Sequence, residues 1–205
     1  MERSYYIVIE GGEGCGKSTH AKLLTQFLNE KGLPAERKRE PGSSTISEEI
    51  RGLVLSPKSD LTSLTELFLF EAARLEFFRK DVIPNLNKGV SIVADRSGYS
   101  TEAYQGYAGG IELDLIKQLN TLATFGIKPD LAFLLDIPAE KGLEKETNQD
   151  RFAIKGVKYH EKVNQGYRNV AKENPDVFVV IPYVEGKLKE MQEQIREYVH
   201  ERLKV

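Results

Sequence analysis

A glycine-rich octapeptide near the start of the chain is the segment whose residue types and spacing most clearly predict chemistry. It reads G-G-E-G-C-G-K-S from Gly11 to Ser18 and follows the apolar run Tyr5 to Ile9. This matches the G-x-x-x-x-G-K-[ST] pattern, in which backbone N–H groups converge on nucleotide phosphates. Lys17 supplies a positive charge for the β- and γ-phosphates and Ser18 a hydroxyl for Mg²⁺, at the positive dipole end of a helix. The segment therefore predicts a site for a nucleoside triphosphate.

The predicted ATP-binding residues form one continuous stretch that includes this octapeptide. Glycine is needed there because a residue without a Cβ lets the backbone approach the phosphates closely and adopt unusual φ values. Glu13 is unusual, since a carboxylate beside a polyphosphate is repelled unless it serves another ligand or the water around a metal; a solvent-facing loop acid is the alternative. The predicted set is Gly11, Gly12, Glu13, Gly14, Cys15, Gly16, Lys17, Ser18 and Thr19.

Length and composition limit the class of protein. A chain of 205 residues is long enough for one α/β domain and short for two, so a single domain over residues 1–205 is expected. The 29 basic and 31 acidic side chains leave a net charge of −2, which gives no overall field for nucleic acid or an anionic membrane. One cysteine, Cys15, excludes an internal disulfide and a zinc site of several cysteines. Because we find neither a signal sequence nor a run of about 20 apolar residues, we expect a soluble, cytoplasmic protein.

Short apolar, β-rich runs alternate with helical patterns along the chain. Such alternation is typical of a mostly parallel sheet that helices cover on both faces, with ligands at the carboxyl ends of the strands. We therefore predict an α/β, three-layer fold around a five-stranded sheet. The predicted strands are Tyr5 to Glu10, Ala35 to Arg39, Val90 to Ala94, Asp130 to Ile137 and Val177 to Ile181. The predicted helices are Lys17 to Glu30, Ser47 to Leu55, Ser63 to Ile83 stopped by Pro84, Glu112 to Phe125, Lys158 to Lys172 and Lys187 to Lys204.

The interval 140–156 differs from its surroundings in charge and periodicity. It carries Lys141, Lys145, Arg151 and Lys155 among acidic residues, with weak apolar periodicity. This pattern is equally compatible with a mobile lid over the site and with a solvated helix and loop.

Further motifs, which follow predicted strands or lie on the long predicted helix Ser63 to Ile83, narrow the function. They are R-E-P-G from Arg39, F-x-x-x-R from Phe70, D-R from Asp95 and A-Y-Q-G from Ala103. Together with the phosphate loop they resemble thymidylate kinases of the bacterial type, in the P-loop nucleoside monophosphate kinase family, and a weaker match extends through Val163. The resemblance implies the P-loop kinase fold and transfer of the γ-phosphoryl group of ATP to dTMP, giving dTDP. It also implies Mg²⁺ and, as is usual in the family, a homodimer.

Cations from several elements are expected to bring two polyanions together, because phosphoryl transfer depends mainly on positioning and positive charge. The resemblance places Arg39, Arg51 and Arg96 at the acceptor phosphate, where guanidinium forks match phosphate oxygens better than lysine does. Arg51 could also be an ordinary surface arginine. Asp95 could bind water around Mg²⁺ or orient Arg96, and a structural ion pair with Arg96 is the alternative.

The predicted nucleoside-binding residues combine three chemistries. Phe70 offers an aromatic face for stacking, Arg74 can donate to a pyrimidine carbonyl, and Gln105 can donate and accept at an imide edge. Thr101 is included in the predicted substrate site. Periodicity alone would make Phe70 a core residue.

Two further assignments follow from the resemblance alone and concern the sugar. Glu13 would bind its 3′-hydroxyl, and Tyr104 would pack beneath it and leave little room for a 2′-hydroxyl. Periodicity alone would place Tyr104 in the core.

The chain departs from the family pattern in three places. It has Asp95-Arg96-Ser97 where D-R-Y is common and Gly109 where an arginine is common, and its phosphate loop contains no arginine. The bacterial-type arrangement then calls for a catalytic cation from the interval 140–156, where Arg151 matches a family position, Lys145 stands where an arginine is common, and the other usual arginine is absent. The predicted catalytic residues are Lys17, Asp95, Arg96, Lys145 and Arg151, and the predicted Mg²⁺ residues are Ser18 and Asp95.

Two alternative functions remain open at this stage. D-R-S followed by Tyr99 also resembles deoxynucleoside kinases, although three arginines are an excess of charge for a nucleoside without a phosphate. The missing arginines are also compatible with a nucleotide-binding regulator that does not turn over its ligands.

Overall fold

A five-stranded sheet in which every pairing is parallel runs through the part of the chain that the computed structural model describes, residues 3–147 and 150–204. The order across the sheet is β2-β3-β1-β4-β5, so β1, which leads into the phosphate loop, is central. The predicted α/β fold class is thereby confirmed, and each strand lies within one or two residues of its predicted bounds. The strands are β1 Tyr6–Gly11, β2 Ala35–Arg39, β3 Ser91–Asp95, β4 Leu131–Asp136 and β5 Phe178–Pro182.

Helices cover both faces of the sheet because the residues of β1 point alternately to two apolar cores. On one face Tyr6 and Val8 pack with side chains of α3 and α8; on the other, Ile7 and Ile9 pack with side chains of α1 and α9. The helices are α1 Lys17–Glu30, α2 Thr45–Leu55, α3 Ser63–Phe77, α4 Ile83–Asn87, α5 Gly98–Thr101, α6 Leu113–Ala123, α7 Ala139–Lys145, α8 Val157–Glu173 and α9 Leu188–Leu203. In the described residues, no helix is both long and apolar enough to cross a membrane.

The prediction that Pro84 stops the third helix is wrong. A π-helical turn, Phe78–Val82, follows α3, and a new α-helix begins at Ile83 with the proline in its first turn. Proline is tolerated there because an N–H in the first turn has no partner within the helix.

A second π-helical segment, Glu102–Ala108, continues α5 and was not predicted. It carries the A-Y-Q-G motif and lies against α8 at Gly166, where an added Cβ would come within 2.8 Å of the Tyr107 Cβ. This close approach turns Tyr104 and Gln105 into the interior, where both are buried.

The interval 140–156 contains α7 and a short 3₁₀ turn, Ala153–Lys155, joined by irregular chain. Two residues of this predicted lid, Asn148 and Gln149, lie outside the described residues.

Candidate active site

One cavity of about 360 Å³ opens where β1, β2 and β3 end. Most of the predicted site residues line it, since parallel strands deliver their following loops to the same edge of the sheet. The predicted residues that line the cavity are Glu13, Gly14, Gly16, Lys17, Ser18, Thr19, Arg39, Arg51, Phe70, Arg74, Asp95, Arg96, Thr101, Tyr104 and Gln105. Gly11, Gly12, Cys15, Lys145 and Arg151 are not among its lining residues.

The phosphate loop bends tightly between β1 and α1. Gly14 and Gly16 have φ of +63° and +89°, in the left-handed region that favours glycine. A Cβ at Gly14 would also overlap the carbonyl oxygen of Gly142, so α7 approaches the loop closely. The Lys17 ammonium is nearly buried and donates to the Gly12 carbonyl oxygen at 2.6 Å, which holds it across the loop.

Ser18 and Asp95 meet at the end of β3. The Ser18 hydroxyl donates to Asp95 Oδ2, so two oxygen atoms lie together beside the phosphate loop. Mg²⁺ prefers oxygen ligands and typically takes one or two protein groups together with water and substrate phosphates. The described residues contain no cluster of three or more His, Cys, Asp or Glu that could hold a metal ion. The Ser18–Asp95 pair therefore fits a Mg²⁺ that is bound together with a nucleotide.

Three arginines approach the cavity from separate elements. Arg39 ends β2 and its Nη2 donates to both oxygens of Glu48 at 2.9 and 2.8 Å, while Arg51 Nη1 on α2 donates to the Pro41 carbonyl oxygen at 3.0 Å. Burial lowers the pKa of Arg51, and the positive charges of Arg39 and Arg96 lower it further. All three arginines line the same cavity, so positive charge from three elements accumulates there, as a site for a dianion requires.

Arg96 and Glu13 form an ion pair between the phosphate loop and the β3 end. Arg96 Nη2 donates to the two Glu13 carboxylate oxygens at 3.0 and 2.9 Å, and the Tyr104 hydroxyl donates to Glu13 Oε1 at 2.6 Å. Burial acts to raise the pKa of Glu13, but Arg96 and Lys17 outweigh it and lower the pKa to about 2. Glu13 is therefore an ionised acceptor at the centre of the cavity, bonded to two other predicted site residues.

The departure at Ser97 has a structural reason that residue patterns did not reveal. The Ser97 hydroxyl donates to Glu10 Oε1 at 2.6 Å and also accepts from the Tyr99 backbone N–H, so it caps α5. Ser100 Oγ donates to the other Glu10 oxygen at 2.7 Å. Glu10 is fully buried, and the acid at the end of an apolar strand was the one available sequence signal for this network.

Arg74 occupies the opposite end of the cavity and is almost fully enclosed by protein. Its Nε donates to Glu40 at 2.7 Å and its Nη1 to Glu71 and to Asn120. Its Nη2 donates to the Ser97 carbonyl oxygen at 3.2 Å and to Thr101 Oγ1 at 2.9 Å. A guanidinium has five N–H donors, so every donor of Arg74 has a protein partner.

The carboxylates around Arg74 were not predicted. Glu40 is distant from Arg74 in the chain, whereas Glu71 stands three residues before it on α3, a spacing that could have indicated the ion pair. Burial raises the pKa of Glu40 to about 7, although Arg74 opposes this shift. Glu71 Oε2 is buried without a hydrogen-bond partner in the described residues. Glu40 and Glu71 together therefore carry more negative charge than Arg74 neutralises.

An aromatic group lies beside Arg74. The Phe152 ring packs against Phe70 and Tyr104, with centroids 6.0 and 5.6 Å apart. All three line the cavity, and they form a slot between α3 and the π-helical segment. The role of Phe152 was not predicted from the D-R-F motif.

The two predicted catalytic cations of the interval 140–156 have partners elsewhere. Arg151 is buried in an ion pair with Glu66 of α3, with Nη1 2.7 Å from Glu66 Oε1. Lys145 Nζ donates to Glu185 at 3.0 Å on the surface. Glu146 of this interval bonds to the phosphate loop, where it accepts from the Gly14 N–H at 3.3 Å.

Comparison with known proteins gives one consistent result. A sequence model described as thymidylate kinase matches residues 9–195. A thymidylate kinase from Desulfosudis oleivorans is 40% identical over 187 residues, covering 86% of this chain and 87% of that protein. One from Chlorobaculum parvum is 35% identical, covering 85% and 86%. The crystal structure of thymidylate kinase from Ehrlichia chaffeensis superposes with a TM-score of 0.80 at 31% identity, covering 96% of this chain and 98% of that one. The chain belongs to the thymidylate kinase family.

Proposed function

We propose that this chain transfers the γ-phosphoryl group of ATP to dTMP, giving ADP and dTDP. The observation that carries this proposal is the convergence of Arg39, Arg51 and Arg96 on the cavity that Lys17 enters from the phosphate loop. A nucleoside acceptor has no phosphate for these three guanidinium groups, whereas a monophosphate does.

On the donor side, backbone N–H groups of the phosphate loop and Lys17 bind the ATP phosphates. Ser18 and Asp95 would hold the Mg²⁺, which neutralises phosphate charge when it is bound. Lys17 is fixed by its bond to the Gly12 carbonyl oxygen, so its charge lies in place before the nucleotide arrives.

On the acceptor side, Arg39, Arg51 and Arg96 bind the 5′-phosphate of dTMP. Glu13 accepts from the 3′-hydroxyl of the sugar, and the Arg96 ion pair keeps it ionised for that role. The base enters the aromatic slot and stacks on Phe70.

The assignment is tested by ADP release from purified protein with ATP and Mg²⁺, using dTMP, dUMP, dCMP, dGMP and thymidine as acceptors. We expect dTMP to be the best acceptor and dUMP a modestly weaker one, because a methyl group is worth only about 1–3 kcal/mol. Faster turnover of thymidine than of dTMP would make the chain a deoxynucleoside kinase. Binding of ATP and dTMP without dTDP would make it a regulator.

Arg151 and Lys145 are proposed to supply a catalytic cation, which for Arg151 requires its ion pair with Glu66 to open. Replacing Arg151 with Ala distinguishes the two roles of this residue. A fall in kcat larger than the change in dTMP binding would assign it to catalysis. An unchanged kcat with a lower free energy of unfolding would assign it to structure.

We propose that two copies of the chain associate in the cytoplasm through α3. Leu64, Phe68 and Leu75 are exposed along one side of this helix, with Phe68 56% exposed, and Leu122 is exposed on the neighbouring α6. A contiguous apolar face of this kind is typical of a protein interface. We expect Phe68→Glu to give monomers in light scattering and the matched exposed variant Val184→Glu to stay dimeric; a dimeric Phe68→Glu variant would contradict the assignment.

A further inference from the structure

Glu66 is a buried carboxylate of α3 that contacts a residue of the cavity wall. Its side chain is only 2% exposed, and its Oε2 accepts from Gln105 Nε2 at 2.8 Å. Its Oε1 pairs with Arg151 and lies 3.5 Å from Lys155 Nζ. Glu66, Phe70 and Arg74 are spaced four apart, so one side of α3 carries all three groups. They lie at the end of the cavity that Phe70, Arg74 and Gln105 line, which is called the base end below.

The contact with Glu66 determines which way the Gln105 amide points. A carboxylate between two cations accepts hydrogen bonds and does not donate them. The amide nitrogen of Gln105 must therefore face Glu66, and its carbonyl oxygen Oε1 must face the other way. Within residues 3–147 and 150–204 no hydrogen bond reaches this oxygen, and Gln105 lines the cavity.

An acceptor atom at this position distinguishes pyrimidines by whether ring nitrogen N3 carries a hydrogen. Thymine and uracil carry a hydrogen on N3 and can donate it to Gln105 Oε1. Cytosine has a lone pair on N3 at the same position, so two hydrogen-bond acceptors would face each other. A site that hydrogen-bonds one ligand edge discriminates steeply against a ligand that cannot complete the bond.

Arg74 is the other candidate for contact with the base edge. Its five donors are bonded to Glu40, Glu71, Asn120, Ser97 and Thr101, so a bond to a ligand would replace one of these partners. Gln105 Oε1 can accept from a base without such an exchange, and the orientation of its amide therefore matters for recognition.

We propose that Glu66 is a specificity-determining positioning residue that fixes the Gln105 amide, with its carbonyl oxygen toward the base, and so favours N3-protonated pyrimidines over cytosine. This inference rests on the proposed function, because it assumes that the cavity takes a pyrimidine nucleoside monophosphate as acceptor.

The test compares kcat/KM for dTMP and for dCMP in the wild-type protein and in the Glu66→Gln variant. A glutamine at position 66 can donate as well as accept, so the Gln105 amide is free to turn around. We expect the dTMP-to-dCMP ratio of kcat/KM to fall at least about tenfold, as the loss of one fixed hydrogen bond allows. Loss of structure alone would lower both values together and leave the ratio unchanged, which would overturn the proposal.

Lys155→Gln is the matched control, because Lys155 contacts Glu66 through Oε1 and does not contact Gln105. We expect this variant to keep the wild-type ratio. An equal fall in the ratio for Lys155→Gln would mean that specificity depends on the charge around Glu66 and would overturn the proposal.

A crystal structure of the wild-type protein with dTMP keeps the proposal testable if Glu66→Gln does not fold. We expect Gln105 Nε2 to stay bonded to Glu66, and N3 of the base to lie within hydrogen-bond distance of Gln105 Oε1. A base edge bonded to Arg74 and distant from Gln105 would overturn the proposal. Failure of the wild-type protein to phosphorylate dTMP would instead overturn the proposed function, so the two failures are distinguishable.

Discussion

Glu13 and Glu40 line the same cavity, and each pairs with an arginine, yet their pKa values move in opposite directions. Burial acts to raise both. For Glu13 the charges of Arg96 and Lys17 outweigh burial and lower the pKa to about 2; for Glu40 burial outweighs Arg74 and raises it to about 7. The number of cations around each carboxylate explains this difference, since Glu13 faces two and Glu40 shares Arg74 with Glu71.

This comparison separates two uses of arginine in one site. At the end of the cavity beside the phosphate loop, the phosphate end, Arg51 makes no ion pair in the described residues, so its positive charge remains for a ligand. At the base end, the donors of Arg74 are bonded to the protein. We propose that the arginines of the phosphate end recruit the phosphate of the substrate, and that Arg74 holds the part of the cavity wall that contacts the base.

The largest expected effect comes from Arg74→Met. Removing the one cation between Glu40 and Glu71 leaves two buried carboxylates unpaired, which costs about 3–5 kcal/mol in free energy of unfolding. Urea denaturation measures this loss. Arg51→Met is the matched control, for which we expect a loss below about 1 kcal/mol together with a raised KM for dTMP. Equal losses of stability in the two variants would remove the distinction between the two ends.

The Lys17→Met variant tests the catalytic contribution of the phosphate end alone. We expect kcat to fall by about 10²–10³, because a charge aimed at the transferred phosphoryl group stabilises the transition state. The free energy of unfolding should fall less than in Arg74→Met, since Lys17 acts on Glu13 through its charge but makes no ion pair in the described residues. The rate of dTDP formation at saturating ATP and dTMP measures the effect. An unchanged kcat would contradict the role of this lysine.

Apolar periodicity was enough to predict the strands and the layers of the fold. The bounds of α1 agree to the residue because the phosphate loop begins it and Gly32 with Pro34 end it. The continuation past Pro84 was not predictable in this way, because a π-helical turn has no apolar period of its own. The short π-helical segment that carries Tyr104 and Gln105 was missed for the same reason.

Motifs predicted which residues meet at the cavity but not what each one contacts. Arg39 and Arg96 stand at the ends of the neighbouring strands β2 and β3, so their convergence follows from topology, whereas Arg51 reaches the cavity from α2. The ion pairs Arg74–Glu40 and Arg151–Glu66 could not be predicted, because the partners lie far apart in the chain. Whether a buried arginine faces a ligand or a carboxylate depends on tertiary contacts that residue spacing does not contain.

The raised pKa of Glu40 predicts a pH dependence of stability. Below pH 4.5 this side chain is protonated in both the folded and the unfolded chain, and its stabilising contribution is fully present. As the pH rises toward 7, the unfolded chain loses the proton that the folded chain keeps, so the free energy of unfolding falls. We expect a decrease of roughly 2 kcal/mol from this group between pH 5 and pH 8, measured by urea denaturation.

Glu40→Gln should remove this part of the pH dependence. Burial also raises the pKa of Glu102 to about 7, so Glu102 contributes a change of the same sign that Glu40→Gln leaves in place. Glu102→Gln is the matched variant for that part. A Glu40→Gln variant with the full wild-type pH dependence would show that Glu40 does not titrate in this range.

Arg51→Lys gives the smallest expected effect and the sharpest test of why the phosphate end uses arginine. Lysine keeps the positive charge but replaces a planar fork with a single ammonium, so one of two parallel hydrogen bonds to a phosphate is lost. Loss of one charge-assisted bond corresponds to a rise of about tenfold in KM for dTMP, with kcat nearly unchanged. Steady-state kinetics with dTMP varied at saturating ATP measures both values. A KM equal to that of the wild-type protein would show that Arg51 acts through its charge alone, and an equal fall in kcat would place it in the transition state with Lys17.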